Sequence, residues 1–287
     1  MKQLSLGYSP CPNDTFIFYA ISHGTIDLGG LKFGRPQLED VETLNAWALA
    51  HHLDVTKISC HALGHVSDEY CVLAAGGALG RGCGPLVVAA SGIPVADLAG
   101  RRVAIPGRLT TAALLFRMFQ PACTDLVEMR FDRIMAAVRR GEVDAGVIIH
   151  ESRFTYGEEG LTCLQDLGQW WETISGQPIP LGCIVARRSL GGAMIKRIER
   201  TVASSVEYAF RFPEESLPYI RANSQETAPE IVQEHIRLYV NDFSRNLGDE
   251  GMAAITAFLQ RGRAAGVLPP ETAGQAPLFA CQLGDGR

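Results

Sequence analysis

The sequence predicts an α/β protein with two lobes and a ligand cleft between them. Strand-like and helix-like stretches alternate in two parts of the sequence, once before residue 90 and once from 96 to 186. The sequence from Leu190 onward has the pattern of helices. Such alternation is typical of layered α/β domains. We expect lobe 1 to comprise residues 1–89 and 187–287, including the helical C-terminus, and lobe 2 to comprise 90–186. The chain would then cross between lobes near Ala89 and Val185, with a ligand bound in the cleft.

Composition narrows the classes of function. Of 287 residues, 47% are hydrophobic and 20% charged, so a sizeable core is available. The net charge of -5 and the pI near 5.8 argue against a nucleic-acid partner. The N-terminus does not resemble a secretory signal, no apolar run is long enough to cross a bilayer, and the 8 cysteines form no C-x-x-C pair. We therefore expect a soluble cytoplasmic protein that does not bind membranes.

The first strand is expected at residues 3–8, where polar and apolar residues alternate. The loop Ser9–Thr15 contains two prolines, and Asn13 or Asp14 is expected to cap a helix over Phe16–Ser22. The loop is either a plain turn and cap or a rigid ligand-holding segment at the end of a strand. We count Asn13 and Asp14 as candidate substrate-binding residues.

Two further strands are predicted in lobe 1, at residues 31–38 and at Asp54–Ser59, with a helix between them that Asp40 opens. Lys57, Ile58 and Ser59 end the third strand of the lobe. Residues 76–85 are rich in glycine but lack the spacing of a nucleotide-binding loop, so either a flexible connection or backbone N–H groups that face a ligand are expected there. A buried strand follows at Leu86–Ala90.

Three residues of metal-binding types lie together just after Ser59. His61 and His65 are four residues apart and would share a helix face, and Cys60 is adjacent. The glutamate that zinc proteases place between such histidines is missing, so we predict no metal site.

Lobe 2 opens with a short helix at 96–100 and a strand at 102–105. Thr110 and Thr111 then stand at the start of the helix Ala112–Phe119. A helix start presents free N–H groups and the positive end of the helix dipole, which suits an anionic ligand. Simple N-capping explains the two threonines slightly better when they are considered alone.

His150 follows the apolar run Val147–Ile149, which predicts a buried strand. Ligands in open sheets lie just beyond the carboxyl ends of strands, and histidine exchanges protons near neutral pH. A general base and a strand-capping histidine are about equally well supported by this stretch. Glu151 and Arg153 would orient His150 or pair with each other, and Arg153 is counted among the candidate substrate contacts. Cys11, Ser59 and Ser152 lack a nucleophile-elbow motif, so no covalent intermediate is expected.

The remaining elements are expected from periodicity alone. They are a strand at Leu126–Phe131, a helix at Asp132–Arg140, strands at Leu161–Leu164 and Leu181–Ala186, C-terminal helices at Glu214–Ala222, Pro229–Val240 and Glu250–Arg263, and a mobile tail from Pro269.

Several stretches together resemble a known enzyme family. They are Ser9–Phe16, Leu38–Asn45, Gly76–Gly82, Pro106–Thr111 and Ile149–Tyr156, and the resemblance extends to Asn241–Ser244. These motifs resemble the 1,4-dihydroxy-6-naphthoate synthases, and Ala96–Ala104 with the two crossovers resembles the type 2 periplasmic-binding-protein fold.

The resemblance implies an enzyme of the futalosine route to menaquinone. Such an enzyme converts cyclic dehypoxanthine futalosine to 1,4-dihydroxy-6-naphthoate, releases dihydroxyacetone and uses no redox cofactor. The family's proton acceptor matches His150, and its contacts to the small carboxylate substrate match Lys57–Ser59 and Thr110–Thr111. Cys60 and His61 depart from the family pattern, which bears on the shape of the pocket.

Two other functions fit the same architecture. A solute-binding protein would capture a small carboxylate without converting it, and a chorismate dehydratase would act in the same pathway. The apparent absence of a leader and the histidine at the cleft disfavour the first function, and the Ser9–Asp14 and Ile149–Arg153 motifs disfavour the second. Nothing in the sequence predicts the oligomeric state.

Overall fold

The protein is described by a computed structural model that covers residues 3–90, 92–225, 228–272, 274 and 276–283. It is an α/β structure with two sheets. The strands are Leu6–Tyr8 (β1), Gln37–Leu38 (β2), Val55–Ser59 (β3), Tyr70–Val72 (β4), Ala78–Gly80 (β5), Leu86–Ala89 (β6), Val103–Ile105 (β7), Leu126–Glu128 (β8), Ala145–Ile148 (β9), Thr162–Asp166 (β10) and Ile179–Arg187 (β11).

The α-helices lie between and after these strands. They are Pro12–His23 (α1), Val41–Leu49 (α2), Cys60–Val66 (α3), Thr111–Phe119 (α4), Phe131–Arg139 (α5), Ser152–Thr155 (α6), Leu167–Ser175 (α7), Gly192–Arg211 (α8), Leu217–Asn223 (α9), Pro229–Tyr239 (α10), Asp242–Arg245 (α11) and Gly248–Ala264 (α12). None of the described helices combines the length and apolar character needed to cross a membrane.

The first sheet has the order β2-β1-β3-β11-β4, and β5 pairs with one end of β11. β1 runs parallel to β2 and β3, whereas β11 is antiparallel to β3, β4 and β5. The second sheet has the order β10-β6-β9-β7-β8, in which β7 is parallel to β8 and β9 and the other pairs are antiparallel. Both sheets therefore contain a parallel βαβ part completed by antiparallel strands.

At each of the two crossovers, one strand belongs to the other sheet from the one expected. β6 belongs to the second sheet, and β11, up to Arg187, belongs to the first. The sequence predicts the opposite lobe for each of these strands, because a buried apolar run looks the same in either sheet. The chain leaves the first sheet after Gly80 and returns to it at Ile179.

Helix α1 begins earlier than the sequence indicates. It starts at Pro12, with Cys11 as its N-cap residue, rather than at Phe16. Proline is well tolerated in the first turn, where its missing N–H has no helical partner in any case. Asn13 and Asp14 consequently lie inside the first turn and are not its caps. Asp40, in contrast, caps α2 as expected by accepting hydrogen bonds from the backbone N–H groups of Glu42 and Thr43.

Three other segments differ from the expectations. Residues 31–38 form only the short strand β2 and a bridge between Leu4 and Phe33, since Gly34 and Pro36 interrupt the run. The glycine-rich segment contains the buried strand β5. The tail is anchored at its described end, where Phe279 is buried and bridges to Val72.

The C-terminal helices pack around the first sheet and its helices. α8, α9 and α10 pack against α1, and α12 packs against α3 and β11. Through these contacts α10 brings residues beyond position 230 next to the loop between β1 and α1, which positions the site described below.

Candidate active site

A cavity of about 660 Å³ lies where the two sheets meet. Its walls come from many separate parts of the chain, among them the β1–α1 loop with the start of α1, the end of β3, the start of α4, the turn after β9, β11 and α10. The candidate residues among its lining are Asn13, Asp14, Lys57, Ile58, Ser59, Thr110, Thr111 and His150. Of the nine candidates, the structure brings all but Arg153 to one cavity.

His150 occupies the turn between β9 and α6. Its φ is +57°, a left-handed conformation that is uncommon for a residue with a side chain. Nδ1 lies 3.6 Å from Cys11 Sγ, and the ring packs on Phe131 with a centroid distance of 5.0 Å. Burial lowers the pKa of His150, while the nearby Glu151 and Asp14 carboxylates oppose that effect. The imidazole is therefore neutral near pH 7 and able to accept a proton.

A buried ion pair forms one wall of the cavity. Lys57 Nζ lies 2.7 Å from Asp14 Oδ1, and the two side chains are only 6% and 2% exposed. Asp14 also accepts hydrogen bonds from the Asn13 amide and from the hydroxyl and backbone N–H of Ser9. All of these partners satisfy a carboxylate that would otherwise be very costly to bury.

His235 on α10 also lines the cavity, and it is not among the site residues that the sequence predicts. It is buried, its Nε2 lies 2.9 Å from Asn13 Oδ1, and its ring is nearly parallel to that of His150 at a centroid distance of 6.1 Å. A signal for it exists in the sequence: Val232, His235 and Tyr239 share one helix face, and the other two are hydrophobic. The partners of this histidine in the cavity are distant in sequence, so the local pattern alone does not indicate a role in the site.

Ser59 ends β3 and has a hydroxyl with spare donor capacity. Its Oγ accepts a hydrogen bond from the Asn45 amide at 3.1 Å, and its backbone N–H donates to the Asn45 carbonyl oxygen at 2.9 Å. Because Oγ acts as the acceptor toward Asn45, its own hydrogen is available to a ligand. The geometry thus suits Ser59 to donate to an oxygen in the cavity.

Thr110 and Thr111 use their hydroxyl hydrogens within the protein. Thr110 Oγ1 donates to the Gly107 carbonyl and accepts from the Ala113 N–H, and Thr111 Oγ1 donates to the Leu181 carbonyl at 2.6 Å. The N-cap interpretation therefore holds for Thr110. The Ala113 N–H is thereby satisfied, so the backbone N–H groups of Thr111 and Ala112 are the donors that this helix start offers a ligand.

Arg153 lies outside the cavity. Its guanidinium donates to the Gly84 carbonyl at 2.6 Å and to Asp166 Oδ2 at 2.7 Å, which ties α6 to the start of β6 and the end of β10. The pairing with Glu151 considered from the sequence is not formed, because Asp166 takes that place. Arg153 is positioned to support the turn that carries His150.

His61 links the two sides of the cleft. Its Nδ1 lies 3.1 Å from the Thr110 carbonyl, and burial lowers its pKa to about 4. The ring of His65 lies 5.4 Å from that of His61, but no three His, Cys, Asp or Glu side chains in the described ranges are arranged to hold a metal ion.

Glu42 on α2 forms a second link across the cleft. Its two carboxylate oxygens accept from the Leu109 N–H at 3.0 and 3.2 Å, and Asn45 donates to Oε2. Gly107, with φ +145°, lies directly beside it, and a Cβ there would come within 2.4 Å of the Glu42 carboxyl carbon. Glu42 can therefore bind the Leu109 N–H only because residue 107 is a glycine.

Replacing Gly107 with alanine is expected to displace Glu42 and break its bonds to Leu109. We expect kcat/KM to fall about tenfold or more and stability to fall by about 1–3 kcal/mol. In the variant, alanine is strained at the positive φ of this position, and its Cβ clashes with the Glu42 carboxyl group. Gly160→Ala is the matched control, since Gly160 also has a positive φ but has nothing within 4 Å of the added methyl. Equal losses in the two variants, measured by steady-state kinetics and urea unfolding, would contradict a role for the Glu42 link.

Known proteins with similar sequences share one activity in their names. A family model described as menaquinone biosynthesis matches residues 4–264. The chain is 49% identical to a 1,4-dihydroxy-6-naphthoate synthase of Thermus thermophilus, over 97% of this chain and 100% of that protein. It is 46% identical to the Streptomyces coelicolor protein of the same name, over 93% of this chain and 95% of the relative.

Solved structures agree on the fold. A crystal structure of a protein from Archaeoglobus fulgidus superposes with a TM-score of 0.87 at 37% identity, covering 93% of this chain and 98% of the other. A Candida albicans protein described as having the generic periplasmic-binding-protein fold matches with a TM-score of 0.65 at 14% identity, covering 95% and 92%. The predicted α/β fold of the periplasmic-binding-protein type is confirmed.

Proposed function

The chain belongs to the menaquinone biosynthesis family, and from that premise we propose that it cleaves cyclic dehypoxanthine futalosine with His150 as general base. It is an enzyme with 1,4-dihydroxy-6-naphthoate synthase activity, the activity named for both relatives. The substrate, the pathway through futalosine, the release of dihydroxyacetone and a cytoplasmic location are parts of the proposal. The observation that carries it is the position of His150 in a cavity next to several hydrogen-bond donors, where burial lowers the pKa of the imidazole.

Carbon–carbon cleavage requires that a proton leave the substrate and that one reach the departing fragment. His150 is suited to the first step, since its pKa is lowered and it is uncharged near neutral pH. Its Nδ1 faces the Cys11 thiol, whose pKa burial raises, so the thiol stays protonated and is only a weak hydrogen-bond acceptor. In the proposed mechanism Nδ1 carries the hydrogen and donates to Sγ, and Nε2 takes the proton from a substrate hydroxyl.

The carboxylate of the substrate is proposed to bind opposite His150, at the starts of α3 and α4. Ser59 provides a hydroxyl there, and the first turn of α4 at Thr111 and Ala112 provides backbone N–H groups in the cavity wall. The positive end of the helix dipole favours a negative charge at this position. Lys57 adds a positive charge that is already paired with Asp14, so its effect on the ligand is partial.

A second cavity of about 700 Å³ adjoins the first and shares His150 and Val41 with it. Its other lining residues include Glu39, Asp40, Glu151 and Gln225, so it is more polar than the first cavity, which is lined partly by Ile58 and Leu181. In the proposed arrangement the ring system lies in the first cavity and the three-carbon hydroxylated fragment leaves through the second. His150 then stands at the bond that breaks.

Incubation of the purified protein with cyclic dehypoxanthine futalosine tests the proposal. We expect equimolar 1,4-dihydroxy-6-naphthoate and dihydroxyacetone, followed by chromatography and mass spectrometry, with no added cofactor. A solute-binding protein would bind the compound and leave it unchanged, and a chorismate dehydratase would instead consume chorismate in a parallel assay. Either outcome would contradict the proposed reaction.

A further inference from the structure

Two buried acceptor atoms face each other beside His150. Nδ1 of His235 and Oε2 of Glu151 are 3.9 Å apart, and each is buried with no hydrogen-bond partner in the described residues. The His235 side chain is 1% exposed and that of Glu151 is 16% exposed. Burying an acceptor without a donor destabilises the protein, and burying a carboxylate without one destabilises it more. This arrangement therefore calls for a donor between the two atoms.

The tautomer of His235 is fixed by its other nitrogen. Nε2 lies 2.9 Å from Asn13 Oδ1, and Asn13 must present its oxygen here because its amide nitrogen donates to Asp14 at 2.8 Å. Nε2 therefore carries the hydrogen, and Nδ1 is a bare lone pair directed at Glu151. The ion pair with Lys57 holds Asp14 in place, and Asp14 accepts a hydrogen bond from the Asn13 amide nitrogen. The orientation of the Asn13 amide is thereby fixed.

The gap of 3.9 Å between the two acceptors is longer than a direct hydrogen bond and shorter than a bridge through one water molecule. Two hydrogen bonds of ordinary length through a bridging water would separate the outer atoms by about 4.5–5 Å, whereas one direct hydrogen bond needs about 2.7–2.9 Å. A side-chain shift of about 1 Å closes the observed distance. The charged or titratable groups near His235 are Glu151, His150, Tyr239, Lys57 and, through Asn13, Asp14. Burial, His150 and Lys57 lower the pKa of His235, so a proton held here depends on the direct contact with Glu151.

We propose that Glu151 and His235 hold one proton between them at neutral pH and act as a positioning pair for His150. The shared proton makes the missing hydrogen bond and cancels the negative charge of Glu151. Glu151 is adjacent to His150, and its charge would otherwise raise the proton affinity of the base. With the proton in place His150 stays unprotonated, and so ready to accept the substrate's proton, down to lower pH. This inference rests on the proposed role of His150.

The pH dependence of kcat/KM distinguishes the shared proton from a purely structural contact. His235→Gln keeps a donor for Asn13 but cannot share a proton with Glu151, so the freed carboxylate is expected to move the acidic limb about one pH unit upward. Glu151→Gln places a permanent donor opposite Nδ1 without a charge, so its acidic limb is expected at the wild-type position. His65→Gln, which changes a histidine outside the cavity lining, is the control and should leave the limb unmoved.

Two outcomes overturn the proposal. If His235→Gln lowers the rate equally at every pH, His235 is only a packing residue. If Glu151→Gln moves the acidic limb downward, Glu151 is an ordinary charged counterion without a shared proton.

A measurement on the unmodified protein covers the case in which a variant fails to fold, or in which His150 is not the base. In the ¹⁵N spectrum of histidine-labelled protein, His235 Nδ1 is expected to show the shift of a hydrogen-bonded or protonated nitrogen at pH 7. A shift typical of a bare imidazole nitrogen would refute the shared proton, whatever the activity assays give.

Discussion

Turnover by the His150→Asn variant is expected to be about 10²–10⁴-fold lower in kcat than that of the wild type, the range for loss of a general base. Asparagine is the appropriate replacement because His150 has φ +57°, and asparagine tolerates the left-handed conformation better than alanine or glutamine. The cavity walls and their donors remain, so the substrate Kd from calorimetry is expected to stay within a few fold of the wild-type value.

His51→Asn is the matched control for that substitution. His51 is an exposed histidine with φ +54°, so the same replacement is made in the same backbone conformation away from the cavity. Its kcat and Kd should equal those of the wild type. Near-normal product formation by His150→Asn would remove His150 from the role of base, whereas a large rise in Kd would assign it to substrate binding.

Replacing Lys57 with methionine is expected to destabilise the protein by about 3–5 kcal/mol, because Asp14 is left as an uncompensated buried charge. The double variant Lys57→Met/Asp14→Asn removes that charge and is expected to recover a large part of the lost stability. The measurement is the midpoint of urea unfolding for the wild type, both single variants and the double variant, which together form a double-mutant cycle.

A surface ion pair provides the control for this cycle. Arg81 and Glu250 are 3.1 Å apart with side chains 50% and 57% exposed, so Arg81→Met should change stability by less than about 1 kcal/mol. If Lys57→Met were as mild as Arg81→Met, the wall of the cavity would not depend on the buried pair, and Lys57 would then be free to act on the ligand.

Local patterns in the sequence predict most elements of this fold. The apolar run before His150, the cap at Asp40 and the helix start at Thr110 are each set by neighbouring residues, and each is found within a few positions. Partners distant in sequence are not encoded locally. The sheet to which β6 and β11 belong depends on such pairings, as does the anchoring of Phe279 by Val72.

The difference between local patterns and partners distant in sequence also decides which site residues can be predicted. Residues at strand ends or helix starts, such as Ser59 and Thr111, are recognisable because their position in an element suggests a role. His235 lies in the middle of a helix, and only the packing of α10 against α1 brings it to the cavity. Arg153 illustrates the opposite error, since proximity to His150 in sequence does not put its guanidinium in the cavity.

The placement of β11 between β3 and β4 has a consequence for the order in which the protein assembles. All strands of the second sheet lie within Leu86–Asp166, so that sheet can pair fully while the ribosome is still adding later residues. The first sheet must leave a gap between β3 and β4 until Ile179–Arg187 has been synthesised, and such non-local pairing is slow. We expect β3 to stay unpaired on this side, and accessible to chaperones, until β11 is synthesised more than a hundred residues later. The cavity is completed last, when α10 docks.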